Sequence, residues 1–361
     1  MQKITLDDPS TAQQRGGTNT GDTHTMAEPL KTVVVGAGRG RSHVQSIQRL
    51  PNLFELVAWV DLDAIRLNER ISEAGLSTTL ASTSLAKTLE HTDCDAIVVA
   101  TWARTHNAIV GQAIDAQKHI LVEKPYALTL ATSRSLQDRA TAAGLKVVVN
   151  QQWRYKPGQR AVRQLLAEQA YGQAQVGHLV TYKARGSEYP DSEHSQLWQM
   201  TVHEIDSVIS MMGQPIIAVA GHSFRPPATT WVRESSATAE LTFKNGARVV
   251  MVSTSDARVS GHEFRIECER GAIVYRNTQG FGGEESLLVG TDPSVGLTPM
   301  AFDNTKLTTS DIDAQVMEGW ANWINGGPEP ETSGPENLYV IGALDALLES
   351  TNSGRTAPVI I

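Results

Sequence analysis

Cysteine is nearly absent from this chain of 361 residues: Cys94 and Cys268 are the only two. They are too few and too far apart for a disulfide framework or a cysteine metal cluster, and a reducing cytoplasm is the compartment such usage fits. Basic excess is also missing, since a net charge of -8 argues against nucleic-acid binding. Apolar runs are short, a handful of residues against the roughly 20 that span a bilayer, so no membrane segment is expected. The first 26 residues lack the basic and apolar regions of a signal peptide and read as a disordered extension. What remains is ordinary globular composition, 40% hydrophobic and 19% charged, in a chain long enough for two cores.

From Lys31 onward short β-branched runs alternate with helical segments. The strands read as Thr32 to Val35, Leu56 to Val60, Ala96 to Ala100, Ile120 to Val122 and Val147 to Val149. Helices are expected at about Ser42 to Leu50, Ala64 to Ala74, Thr105 to Ala116 and Ser133 to Ala143. Serial βαβ units of this kind give a doubly wound parallel sheet over residues 27–150. Beyond Asn150 two helices, Gly158 to Ala170 and Ser195 to Met212, precede runs that read as antiparallel strands: Gln175 to Ala184, Ile216 to Phe224, Ala237 to Phe243, Ala247 to Thr254, Glu263 to Cys268 and Ala272 to Tyr275. A last helix is expected at Glu336 to Ser350, packing back on the first domain. Residues 151–361 therefore read as an α+β domain with a large, mainly antiparallel sheet.

Three constellations carry chemistry. Val33-Val34-Val35-Gly36-Ala37-Gly38-Arg39-Gly40-Arg41 runs from a strand into a glycine turn whose amides can meet a pyrophosphate. Asp61, at the end of the next strand, stands at the position that accepts a ribose 2′-hydroxyl and repels a 2′-phosphate, which favours NAD. Arg39, Arg41 and Arg66 leave NADP open. Glu123-Lys124-Pro125 closes a strand, and because proline pushes the preceding residue out of helical geometry, Lys124 is expected on extended backbone at the sheet's carboxyl end, where ligands bind. Finally Gln199, His203, Asp206 and Ser210 share one face of a helix whose apolar row is Val202, Ile205, Ile209 and Met212. A histidine with an acid one turn away can be held in one tautomer and can shuttle protons near neutrality.

The glycine turn ending in His43, the segment from Val98 through Thr101 to His106, the run His119 to Pro125 and the His203-x-x-Asp206 helix occur in this order, and together they resemble the superfamily of glucose-fructose oxidoreductase, inositol dehydrogenase and MocA-type proteins. The likeness covers about Lys31 to Ile360. It implies a Rossmann domain plus an α/β domain whose open sheet forms an oligomer interface, a homodimer or homotetramer. It also implies NAD(P)-dependent redox chemistry on sugars, cyclitols or related small molecules, and a cis Lys124-Pro125 bond. On this reading Lys124 and His203 are catalytic, with His203 the general acid-base and Lys124 stabilising an alkoxide, or itself the base if its pKa is depressed. Gln199, Asp206, Tyr155 and Trp153 bind substrate, with Asp206 orienting His203 or holding a hydroxyl, and Arg154 and His194 are weaker pocket candidates. Gly36, Gly38, Arg39, Gly40, Asp61, Arg66, Thr101, Trp102, His106, Glu123 and Lys124 contact the cofactor. No metal is expected.

Three departures stand out. Gln199 occupies the place of the family's usual aspartate, Trp102 that of a proline, and the third glycine of the turn comes one residue early. Two other functions fit the same residues: an NAD-retaining oxidation-elimination enzyme, and a nucleotide-sensing regulatory protein without turnover.

Overall fold

A computed structural model describes residues 28–185, 196–279 and 283–361; the N-terminal extension and His194 lie outside them. In chain order the elements are β1 (Leu30–Val35), α1 (Gly40–Arg49), β2 (Phe54–Val60), α2 (Ala64–Glu73), β3 (Ala81–Ser82), α3 (Leu85–His91), β4 (Ala96–Val99), α4 (Ala103–Asp115), β5 (His119–Val122), α5 (Leu130–Ala142) and β6 (Val147–Val149). There follow α6 (Pro157–Ala167), β7 (Ala174–Ala184), α7 (Val202–Met212), β8 (Ile216–Phe224), β9 (Ser236–Phe243), β10 (Arg248–Thr254), β11 (Asp256–Cys268), β12 (Gly271–Asn277), β13 (Glu285–Gly290), β14 (Thr298–Pro299), α8 (Thr309–Ile324), α9 (Gly334–Ser353) and β15 (Ala357–Pro358).

The first six strands pair in the order β3-β2-β1-β4-β5-β6, all parallel. Val33, Val34, Ile97, Val98, Ile120, Leu121, Val147 and Val148 are fully buried, as expected for strands covered on both faces. The order reverses between β1 and β4, so the carboxyl ends of those strands open the crevice that holds ligands in such sheets.

The remaining strands form one sheet, β14-β13-β12-β11-β7-β10-β9-β8-β15, antiparallel except where β10 runs parallel to β7. One face is apolar and covered: Leu179, Leu241, Val249, Met251, Phe264 and Ile266 are buried. Their strand neighbours Val176, Tyr182 and Val250 stand exposed on the other face. Lys183 and His262 alternate in step with the covered set, so two titratable side chains point inward.

Two helices, α3 and α8, were not expected from the sequence. The second begins with a capping box between Thr308 and Asp311 and packs along α1. Its fully buried Trp320 stacks on Phe54 with centroids 6.0 Å apart. The helix expected over Ser195 to Met212 divides in two: Gln196–Thr201 is a π-helical turn, and α7 continues from it with every residue buried. Helix α9 packs on α5, whose first residue, Leu130, donates its amide to Asp345 at 2.9 Å.

Candidate active site

The glycine turn is built around three different demands. Gly36 has φ +107°, and a Cβ there would lie 2.4 Å from the Ala100 carbonyl oxygen. Gly38 has open space where a side chain would stand. Gly40, the first residue of α1, lies against Val34 and Trp59, the close helix-on-strand contact that the third glycine ordinarily allows. The early glycine thus fills the packing role, and Arg41 turns outward toward Glu73 at 3.7 Å. Asp61 accepts from the Ala37 amide at 2.6 Å and from the Asp63 amide at 2.8 Å, which places its carboxylate beside the turn. The open cradle at Gly38 and the carboxylate of Asp61 fit a dinucleotide's pyrophosphate and adenosine ribose. Arg66 stands on α2, half exposed and 3.3 Å from Asp63.

Several residues expected on the cofactor instead hold the turn's surroundings. Arg39 spans Glu123 at 2.8 Å and Asp313 at 2.7 Å, so its guanidinium is committed to protein carboxylates. Glu123 is buried and also takes His43 Nε2 at 2.9 Å and Asn150 Nδ2 at 2.8 Å. Burial alone would raise its carboxyl; Arg39, His43 and Asn150 outweigh that and hold it well below the usual carboxylate range. Asp313, on the unexpected α8, gathers Arg39, Ser42 Oγ and Asn150. His106 ties two loops together: its ring nitrogens lie 2.7 Å from the Pro125 carbonyl and 3.2 Å from that of Thr101. Thr101 shares a hydroxyl contact with Thr105, and Trp102, 60% exposed, opens α4 at the end of β4.

Lys124 stands two residues past the end of β5, and its bond to Pro125 is cis. Its Nζ donates to the Gln199 carbonyl at 2.7 Å. Gln199 therefore meets the lysine with main chain, whatever side chain it carries. Burial lowers the Lys124 amine to about 8, with Lys183 pushing the same way and Glu123 opposing.

His203 stacks on Trp153, centroids 4.7 Å apart and rings 12° from parallel. Its Nδ1 is buried and has no hydrogen-bond partner among the described residues. Burial, then Lys124, Lys183 and Lys156, hold the imidazole well below its ordinary pKa, so it is neutral at physiological pH. Asp206 does not orient it. That carboxylate is fully buried and taken by Arg154 at 2.9 and 2.7 Å, because Arg154 enters from the turn below and outcompetes an imidazole for a buried anion. Tyr155 likewise leaves the site, packing into the cluster formed by Ile312, Val316 and Trp320.

Four nearby groups escaped sequence reasoning. Lys183 Nζ lies 2.6 Å from the buried Glu204 carboxylate and 3.3 Å from the Met200 carbonyl. Lys156 Nζ lies 4.3 Å from the Trp153 ring centroid, and His262 meets the same ring edge-on at 5.9 Å. The signal for Lys183 and His262 was there: each is a polar residue in step with an apolar strand face.

With this geometry in view, the comparisons decide the family. Residues 30–151 match the model of the oxidoreductase family with an NAD-binding Rossmann fold, and residues 159–274 match the GFO/IDH/MocA C-terminal domain. The chain belongs to the GFO/IDH/MocA oxidoreductases. Inositol 2-dehydrogenase 3 of Saccharopolyspora erythraea is 25% identical over 344 residues, 92% of this chain and 96% of that one. D-apiose dehydrogenase of Paraburkholderia graminis is 26% identical over 348 residues, 92% and 91% of the two chains. Among solved structures, an Agrobacterium radiobacter oxidoreductase in complex with NAD+, L-tartaric acid and magnesium superposes with a TM-score of 0.77 at 20% identity, covering 91% of this chain and 98% of that one. GFO/IDH/MocA architecture accounts for both sheets, and the family's Rossmann domain makes NAD the cofactor. Among the described residues of this family member, no cluster of three or more His, Cys, Asp or Glu side chains could hold a metal ion, and no helix is long and apolar enough to cross a membrane.

Proposed function

We propose that this oxidoreductase is an NAD-dependent dehydrogenase that interconverts a secondary alcohol and a ketone on a sugar, cyclitol or sugar-derived small molecule. The observation that carries the reading is the meeting of Lys124, from the end of β5, with the π-helical turn that leads into His203. Relatives named as inositol and apiose dehydrogenases support the substrate class.

NAD, when bound, supplies the hydride acceptor or donor. The protein's own groups manage the proton. Lys124, with an amine held near 8, is matched to take the hydroxyl proton at neutral to mildly alkaline pH and to return it in reduction. His203 is a poor place to store a proton, since its cationic surroundings oppose imidazolium, and it serves as a neutral hydrogen-bonding partner for the reacting hydroxyl. Trp153 fixes the plane of that imidazole by stacking. Asp61 and the acidic partners of Arg41 and Arg66 favour NAD over NADP. The open face of the nine-stranded sheet, bearing Val176, Tyr182 and Val250, suits association with a second copy, which light scattering on the purified chain would reveal.

The test is nicotinamide absorbance across cyclitols, aldoses and keto-sugars, with NAD and NADP in separate arms. Turnover with at least one polyol, abolished in Lys124→Ala while NAD still binds, is the expected result. A Lys124→Ala variant as active as the parent would end the assignment.

A further inference from the structure

The covered face of the nine-stranded sheet changes character where its strands approach the turn of residues 196–201. On β10 the inward row runs Val249, Met251, Ser253, and on β7 it runs Leu179, Thr181, Lys183, all buried. Ser253 and Thr181 are register partners, so the two rows turn polar at the same level.

A single π-helical turn is a rarely adopted geometry, and here side chains brace it. Gln196, its first residue, donates from Nε2 to Ser253 Oγ at 3.0 Å and to Thr201 Oγ1 at 3.3 Å, and its Oε1 accepts from Ser255 Oγ at 2.7 Å. Thr201, its last residue, donates to Ser253 Oγ at 3.3 Å. All four side chains belong to fully buried residues. The two ends of the turn are thus joined to each other and to the end of β10, Lys183 Nζ holds the Met200 carbonyl between them, and Lys124 takes the Gln199 carbonyl from the parallel sheet. A buried polar network whose members satisfy one another rigidifies the backbone it touches.

We propose that Gln196 is a positioning residue of the dehydrogenase, holding the Gln199 carbonyl and the start of α7 where Lys124 and His203 meet one substrate hydroxyl. The inference rests on the dehydrogenase reading for what is positioned; the network itself stands on Gln196, Thr201, Ser253 and Ser255. In the neutral amine of Lys124 one N–H is committed to the Gln199 carbonyl, which fixes the direction of the lone pair that takes the proton. The carbonyl also binds the ammonium form more strongly than the amine, because a charge-assisted hydrogen bond is the stronger one. A displaced turn therefore misaims Lys124 and makes it easier to deprotonate. The network carries no charge. The charged or titratable groups that bear on Lys124 are Glu123, Arg39, Lys183, Glu204 and His203, and Gln196→Met alters none of them.

The experiment compares the parent, Gln196→Met and Ser255→Ala, each loaded with NAD, by two readouts. One is kcat and its pH profile on a polyol that the parent oxidises. The other is the titration of Lys124 itself, followed as the pH dependence of its trace acetylation by acetic anhydride in peptide mass spectrometry. Gln196→Met should lower kcat about tenfold or more with NAD affinity unchanged, and both midpoints should move to lower pH by roughly half a unit. Ser255→Ala removes a single hydroxyl and should act in the same direction to a smaller extent; it carries the comparison if Gln196→Met does not fold. A folded variant with the parent's kcat and the parent's Lys124 titration would overturn the proposal, as would a fall in kcat matched by an equal fall in NAD affinity while the titration stays in place. The labelling readout separates the two readings. A shifted titration in a protein that oxidises no polyol removes the dehydrogenase and keeps the hold of Gln196 on the turn; undiminished turnover in Gln196→Met keeps the dehydrogenase and removes the role of Gln196.

Discussion

Lys124 Nζ lies 2.7 Å from the main-chain carbonyl oxygen of Gln199, so a lysine at the carboxyl end of the parallel sheet is fastened to the turn that carries His203 from the other half of the molecule. The acceptor comes from a π-helical turn, Gln196–Thr201, a geometry that frees carbonyls an α-helix would occupy and that recurs at functional sites. Through this bond the loss of the family's usual aspartate at position 199 leaves the lysine's anchor in place.

The pH dependence of catalysis follows from the same amine. For oxidation, Lys124 must be neutral to take a proton, and with its amine near 8 the value of kcat/KM should rise with pH and level off above about 8. Reduction, which needs the ammonium form, should fall through the same range. Initial rates between pH 6 and about 10 in both directions check it. Replacement by methionine should cost about 100-fold or more in kcat, the ordinary worth of a positioned acid-base group.

Cofactor choice should turn on Asp61. Asp61→Ser removes the carboxylate that accepts from Ala37 and Asp63, and the expected outcome is a rise of about tenfold in KM for NAD with relatively better use of NADP. Parallel saturation curves with the two cofactors measure the shift. An unchanged NAD-to-NADP ratio would count against the ribose assignment.

Arg154 and Asp206 make a buried pair whose partners cannot be removed singly at low cost. Arg154→Met strands a fully buried carboxylate and should lower stability by about 3–5 kcal/mol. Combining it with Asp206→Leu should recover most of that loss, because two apolar groups leave no charge to desolvate. Urea unfolding of the three variants forms the cycle. Burial already pulls the Asp206 carboxyl above its usual range against the effect of Arg154, which underlines how much the site depends on its partner.

Gly36→Ala should be poorly tolerated. The new methyl would meet the Ala100 carbonyl at 2.4 Å from a backbone at φ +107°, and a non-glycine residue held in such a region costs about 1–3 kcal/mol before the clash is counted. Thermal unfolding together with NAD affinity would show both losses, whereas a melting temperature equal to the parent's would contradict the packing described for this turn.

The parallel sheet was legible because β-branched runs alternating with helical segments leave few topologies, and the glycine turn and the strand end at Lys124-Pro125 were legible because glycine and proline impose local backbone geometry that a linear pattern records. Helix α8 escaped notice despite its capping box, and with it Asp313, whose contacts to Ser42 and Arg39 span more than 270 positions of chain. Which carboxylate meets which cation could not be read in advance. Asp206 sits one turn from His203 in sequence yet belongs to Arg154, and Glu204 belongs to Lys183, because a buried charge is claimed by whichever opposite charge the packed elements bring closest. The sequence by itself determined the two-sheet architecture, the glycine turn and the place of Lys124 at the carboxyl end of β5. Tertiary structure alone decided the partners, since desolvation is a property of the packed interior and has no counterpart along the chain.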